Sequence, residues 1–178
     1  MPGTGLRRAA AHDGFDVASL LSDALSDTSG QWLCSSPVEH GYLLGADFNA
    51  ALEYALAYGH VDVSDDLRAV AVWQPHPTDE SAGEFPLLTR SRPDEPYHQL
   101  VALAVHPSRR EDGLATALLR LHHNYLDTER LPGYVEATSK RVCEMYALHG
   151  YQYRPPVRVP NGPWLYPMVR APMFRPQE

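Results

Sequence analysis

Cysteine is scarce in this chain: 178 residues contain two, Cys34 and Cys143, far apart. Two such residues make neither a disulfide framework nor a cysteine-rich zinc site, and they point to a reducing compartment. Positive charge is short as well, with 15 Lys and Arg against 22 Asp and Glu, net −7 with histidine neutral. Nucleic-acid binding rests on neutralising phosphates with a basic face, so that class of partner is not expected. The acidic balance suits plain solubility or a cationic small molecule. No long apolar run exists, and none follows Arg7 and Arg8. Neither a signal peptide nor a membrane span is therefore expected, and the chain reads as cytoplasmic.

Proline and histidine are plentiful, 16 and 9 residues respectively. That much proline argues for many turns and against long uninterrupted helices. Hydrophobic residues at 44% and charged residues at 21% are ordinary globular usage, which excludes disorder, collagen and coiled coil. At roughly 100–200 residues per domain, the length predicts one domain over residues 1–178, with 1–6 a flexible tail.

Apolar spacing then sets the elements. Asp13 can cap a helix carrying Phe15, Val17, Leu20, Leu21, Ala24 and Leu25. A second helix is predicted over 47–58, with Phe48, Leu52, Ala55 and Leu56 on one face and Gly59 as its stop. A hairpin follows, 60–63 and 68–73 around a turn at 64–66. Residues 74–96 hold five prolines and read as a surface excursion with a short helix at 85–89. The continuous apolar run 99–105 predicts a strand buried on both faces, stopped by Pro107. A polar loop (108–113) leads to a helix over 114–127 with Leu114, Ala117, Leu118, Leu121 and Tyr125 inward. A strand at 134–138, a helix over 140–149 stopped by Gly150, and two strands around Pro160-Asn161-Gly162-Pro163 complete the chain. The order predicts a mixed α/β domain.

The segment from Val105 to Leu119 is the most informative. A buried strand ends, a loop with Arg109, Arg110 and Gly113 follows, and a helix opens at once. A helix N-terminus offers unpaired N–H groups and a positive dipole end, which suit an anion. A plain strand-to-helix junction also needs a glycine and charges, so the segment alone fits either reading.

Two motifs carry a resemblance. The first is Val105-His106-Pro107 followed by Arg110-Glu111-Asp112-Gly113-Leu114-Ala115. The second is Val135-Glu136-Ala137-Thr138 followed by Tyr146-Ala147-Leu148-His149-Gly150-Tyr151. In order and spacing they resemble the GNAT family of acetyl-CoA-dependent N-acetyltransferases, with the sharpest similarity toward its puromycin N-acetyltransferase branch. That branch's texture is shared at Ala69-Val70-Ala71-Val72-Trp73, at Glu95-Pro96 and at Val159-Pro160-Asn161-Gly162-Pro163. The resemblance implies a GNAT fold, a mixed central sheet with a splayed central strand and flanking helices. It implies an acetyl-CoA-dependent enzyme acting on a small-molecule amine, such as an antibiotic or a biosynthetic intermediate, as monomer or homodimer. Donor contacts are implied at Leu103, Ala104, Val105, Arg109, Arg110, Glu111, Asp112, Gly113, Leu114, Ala115 and Thr116. Two positions depart from the family pattern: Glu111 replaces a glycine, and Val142 an asparagine. The carboxylates of Glu111 and Asp112 would repel a pyrophosphate unless turned to solvent or offset by Arg109 and Arg110. They keep open a carrier-protein-bound thioester donor, and a non-catalytic GNAT-fold binding domain.

The implied chemistry is attack of a neutral amine on a thioester. Tyr146 matches the family's acid for the leaving thiolate; its spacing from Val142 alone reads as core packing. Glu136 and His98 are the candidate bases. Backbone N–H groups of the splayed strand near residues 102–105 are expected to face the carbonyl oxygen. Trp32, Tyr42, Tyr97 and Trp164 are candidate walls of an acceptor pocket, though each taken alone reads more readily as core. His122 and His123, adjacent on one helix, read as surface or packing residues, and no metal is expected. No Gly-x-Ser-x-Gly elbow or phosphate-loop lysine is present, against a serine hydrolase or a kinase.

Overall fold

The protein's structure, a computed structural model, describes residues 5–26, 33–35, 45–77, 86–160, 162 and 164–173. In chain order its elements are β1 (Leu6–Arg8), α1 (Gly14–Leu25), β2 (Leu33–Ser35), α2 (Gly45–Tyr58), β3 (His60–Ser64), β4 (Ala69–His76) and α3 (Pro86–Thr89). They continue with β5 (Tyr97–Val105), α4 (Leu114–Glu129), β6 (Gly133–Ala137), α5 (Lys140–Ala147), β7 (Gln152–Tyr153), β8 (Val157–Arg158) and β9 (Trp164–Arg170). The main sheet runs β1-β3-β4-β5-β6-β9-β7, with β2 added to β5 and β8 to β9.

The apolar run places β5 at the centre, and all nine of its residues are buried. Strand β4 pairs antiparallel along its whole length. On one face of the sheet, Val61, Val63, Val70, Val72, Val101, Ala102 and Ala104 pack against Val17, Leu20 and Leu21 of α1 and Leu52 and Ala55 of α2. On the other, Ala69, Ala71, Trp73, Leu100, Leu103 and Val105 pack against Leu114, Leu118, Leu119 and Leu126 of α4 and Val142 and Tyr146 of α5. Each such valine or leucine, fully buried, contributes about 1.5–3 kcal/mol through surface removed from water, and each alanine less. Local signals set the helix ends. Ser139 caps α5 by accepting from the Val142 N–H at 3.3 Å. Gly150 ends the segment at φ +88°. Gly59 lets the end of α2 lie against β4, where a Cβ would stand 2.5 Å from the Trp73 carbonyl oxygen.

Several expectations are corrected. Gly5 and Leu6, expected in a flexible tail, are held in place: the Gly5 carbonyl accepts from Asp65 N–H at 3.0 Å and Leu6 pairs with Ser64 in β1. Asp13 does not cap α1 through its side chain. Its carboxylate is taken by Arg7 at 2.6 and 2.9 Å and by the Ala10 N–H at 2.7 Å, which hold it well below the usual carboxylate range. Phe15 faces solvent, as does much of Leu121; the buried stripe of α4 is wider than predicted and takes in His122 and His123 instead. Strand β4 runs on through Pro75, which the sequence placed in the excursion. Pairing of β3 with β4 ends at Trp73, so the missing N–H of Pro75 falls where only β5 is alongside. The C-terminal stretch forms three short strands rather than two, with β7 and β8 both pairing to β9. Among the described residues, no helix is long and apolar enough to cross a membrane.

Candidate active site

The outer edge of β5, opposite β4, carries three different neighbours along its length. At its start, β6 pairs in parallel at His98 with Gly133 and Gln99 with Tyr134, then leaves. At its end, β2 pairs antiparallel, Leu33 with Val105, Cys34 with Ala104 and Ser35 with Leu103. Among the described residues, 100–102 pair with neither. The β4–β5 register also breaks here: Val72 faces Ala102 and Trp73 faces Leu100, leaving Val101 as the extra residue of a bulge. A bulge frees backbone groups from the ladder and re-aims them. The sequence run thus yields a short open window in the middle of the sheet.

Glu136 stands at that window. Extending the parallel register from Gln99–Tyr134 sets Glu136 level with Val101. Strand alternation puts it on the face opposite Val135 and Ala137, which join the α4–α5 core. Its carboxyl is buried and accepts a hydrogen bond from the Tyr134 hydroxyl at 3.0 Å. Arg92 Nη2 lies 3.8 Å from the same oxygen. Burial pushes the carboxyl of Glu136 above its ordinary range, opposed by Arg92 and by the Tyr134 hydrogen bond. Burial and the neighbouring Glu136 push the Tyr134 phenol far up, so it stays a neutral donor. Tyr97 meets the Tyr134 ring edge-on at 5.7 Å and stacks on His76 at 4.8 Å, so it packs beside this polar cluster.

At the other end of the window lies the loop before α4. Gly113 has φ +71°, and a Cβ built on it would meet nothing within 4 Å. The glycine serves the left-handed turn, and the space above it is open. No side chain caps α4, and its first intrahelical bond joins Ala117 N–H to the Gly113 carbonyl. The N–H groups of Leu114, Ala115 and Thr116 lie ahead of that bond. Asp112 is held by Arg109, which also grips Asp66 on the β3–β4 turn. Arg109 thus shares its one positive charge between two carboxylates, which offsets part of the Asp112 charge and commits Arg109 to the loop. Glu111 points to solvent. The Thr116 hydroxyl lies 3.3 Å from His149 Nε2 and ties α4 to the end of α5.

The remaining predicted residues separate. Leu103, Ala104 and Val105 are fully enclosed, with β4 on one edge and β2 on the other. Tyr146 is buried with Val142 and Tyr151 in the α4–α5 core, its ring 5.4 Å from that of Tyr151. His98 faces α4 rather than Glu136. Its Nδ1 lies 3.1 Å from His122 Nε2, and its ring packs beside His60 and Tyr125. Trp73 stacks on His122 at 4.2 Å, and His122 Nδ1 lies 3.7 Å from Asp62. Burial and the neighbouring histidines hold His98 down to about 3, and burial holds His60 down to about 4. His123 is also buried, 3.1 Å from the Tyr151 hydroxyl. Trp164 is half-exposed at the start of β9, where it pairs with Arg158 of β8. Trp32 and Tyr42 lie outside the described residues. Among the described residues, no group of three histidine, cysteine or acidic side chains is arranged to hold a metal. Arg92 went unnoticed in the sequence because a lone arginine in a proline-rich stretch has no period and no motif.

No family model matches the chain. Solved structures nevertheless resemble it over nearly its whole length. One is a Corynebacterium glutamicum protein described as histone acetyltransferase HPA2 and related acetyltransferase, 18% identical with TM-score 0.68 over 98% of this chain and 99% of that one. Another is the Drosophila melanogaster polyamine N-acetyltransferase, which forms N-acetylagmatine, 16% identical with TM-score 0.68 over 94% and 99%. A third is YncA of Salmonella typhimurium, solved with its cofactor acetyl-CoA, 14% identical with TM-score 0.62 over 98% and 97%. At such identities the likeness shows the fold. The mixed sheet with its separating parallel pair is the GNAT fold that the two motifs implied.

Proposed function

We propose that the chain is an acetyl-CoA-dependent N-acetyltransferase acting on a small-molecule amine at the β5 window. The observation that carries this reading is Glu136, a buried carboxylate level with the bulge at Val101 where β6 leaves β5. A base and a bulged backbone edge facing each other across a gap suit amine attack on a carbonyl. Acetyl-CoA fits the donor end in two respects. The uncapped start of α4 beside an open Gly113 suits a pyrophosphate, and Arg109, shared with Asp66, offsets part of the nearby charge of Asp112. In a third respect it fits only after a rearrangement, because β2 holds the edge of Leu103–Val105 along which an amide-bearing donor arm would lie.

When bound, the thioester supplies an activated acetyl group. Glu136 takes the proton of the incoming amine, and its raised pKa brings it closer to working pH. Backbone N–H groups near Val101 face the oxygen that gathers charge. Tyr146 gives its phenol proton to the departing thiolate, as the family resemblance implies. Tyr134 and Arg92 hold Glu136 in place, and the pocket lined by Tyr97 receives the acceptor.

A second reading, a GNAT-fold binding domain without turnover, is favoured by β2 on the donor edge. Calorimetric titration with acetyl-CoA, paired with thiol release over an amine panel, separates the two. Saturable binding with turnover supports the enzyme. Absence of binding at millimolar acetyl-CoA would contradict it.

A further inference from the structure

The polar cluster beside the window holds a charged group whose donors the proposed reaction does not all use. Arg92 stands 3.8 Å from Glu136, close enough for attraction but too far for a hydrogen bond. Its buried Nε finds no acceptor among the described residues. The side chain is 27% exposed, so solvent or a ligand reaches part of it. Its position is nonetheless built. The Arg92 N–H donates to the Thr89 carbonyl at 3.2 Å and the Ser91 N–H to the Leu88 carbonyl at 3.0 Å, closing the turn after α3. Leu88 in turn is buried against Val157, Val159 and Leu165 of the C-terminal hairpin.

A guanidinium offers five donors in a planar fork that matches a carboxylate or phosphate two bonds at a time. If Arg92 served only to neutralise Glu136, the fork would close on that carboxylate, as Arg170 closes on Asp127 at 2.8 and 3.0 Å. It does not. We propose that the acceptor carries an anionic group beside its amine, with Arg92 reading the anion and Glu136 the amine. This rests on the role given to Glu136 above. The 3.8 Å between the two groups also sets the scale. Both are engaged together only when the acceptor's amine and anion are a few bonds apart, as in an α-amino acid. A polyamine would bring a second positive charge against Arg92, and a long ω-amino acid would place its anion beyond reach.

The test uses matched acceptors that differ only in the anion: phenylalanine against phenethylamine, arginine against agmatine, lysine against cadaverine. Glycine against aminomethylphosphonate distinguishes a carboxylate from a phosphonate. Thiol release from acetyl-CoA is followed with the full chain. The acid of each pair should be preferred by about 100-fold in kcat/KM, because an unmatched buried charge is costly. Arg92→Ala should erase the ratio between acid and plain amine, whatever it does to turnover of both through Glu136, and Arg92→Lys should restore part of that ratio. Plain amines used as well as the acids, or a preference that survives Arg92→Ala with an intact melting curve, would overturn the proposal. So would failure of every acceptor to react, or to bind in the presence of CoA, while acetyl-CoA itself binds. Failure of acetyl-CoA to bind would instead remove the reading on which this proposal rests.

Discussion

Two polar clusters flank the first half of β5, one on each face, and they differ in how their charges are settled. On the α4 face, His60, His98 and His122 pack against one another, Trp73 and Tyr125. They are aromatic, neutral and covered by a helix. On the opposite face, Glu136, Tyr134 and Arg92 gather where β6 parts from β5. Here a carboxyl and a guanidinium meet beside a phenol that stays neutral, and Arg92 is incompletely partnered. Both clusters contain buried titratable groups. Only the second borders a break in the sheet, so perturbed titration is a weak guide to function until an opening is found beside it.

The comparison is most directly broken by paired substitutions. Glu136→Gln keeps size and removes the base, so thiol release with the best amine should fall by about 10²–10⁴-fold. His98→Gln should lower it less than about tenfold while lowering the melting temperature. The reverse pattern would move the base to the histidine cluster.

Acid titration of stability sharpens the same contrast. A histidine held neutral in the fold, with its pKa below the ordinary value near 6.5, binds its proton only on unfolding. Its contribution is complete above about pH 6.5 and is lost as pH falls toward the folded values of about 4 and 3. Denaturant unfolding across that window should show stability falling by about 1.4 kcal/mol per pH unit for each such histidine. A flat profile in the wild type, or a slope unchanged in His98→Gln, would contradict the closed, neutral state of this cluster.

Tyr134→Phe gives the smallest expected effect. Removing a hydrogen bond that favours the charged carboxylate is worth about 1.5 kcal/mol, so the acid limb of the rate profile should move up by about one pH unit. An unmoved limb would mean that Glu136 is not the group titrating there.

The sequence carried much of this arrangement. The unbroken run 99–105 named the central strand because only burial on both faces tolerates it. Gly150 marked the stop of a helix and Gly113 the loop before another, and Glu136 entered through the second motif of the family resemblance. Other features depended on distance. Pro75 looked like the end of a strand, since nothing local shows that β3 has already stopped alongside it. Asp13 looked like a cap until Arg7, on β1, claimed it. His122 and His123 both found burial because α4 presents a face wide enough for adjacent residues, one toward Trp73 and one toward Tyr151. Neither β2 on the β5 edge nor Arg92 beside Glu136 has a local signature.

The central claim is that the edge of β5 and the start of α4 together receive an acyl thioester. Amide hydrogen exchange with and without acetyl-CoA tests it without knowledge of the acceptor. Binding should slow exchange at Leu114, Ala115 and Thr116 and speed it at Leu33–Ser35 as β2 yields its place. Unchanged exchange at both segments with millimolar acetyl-CoA would contradict the account.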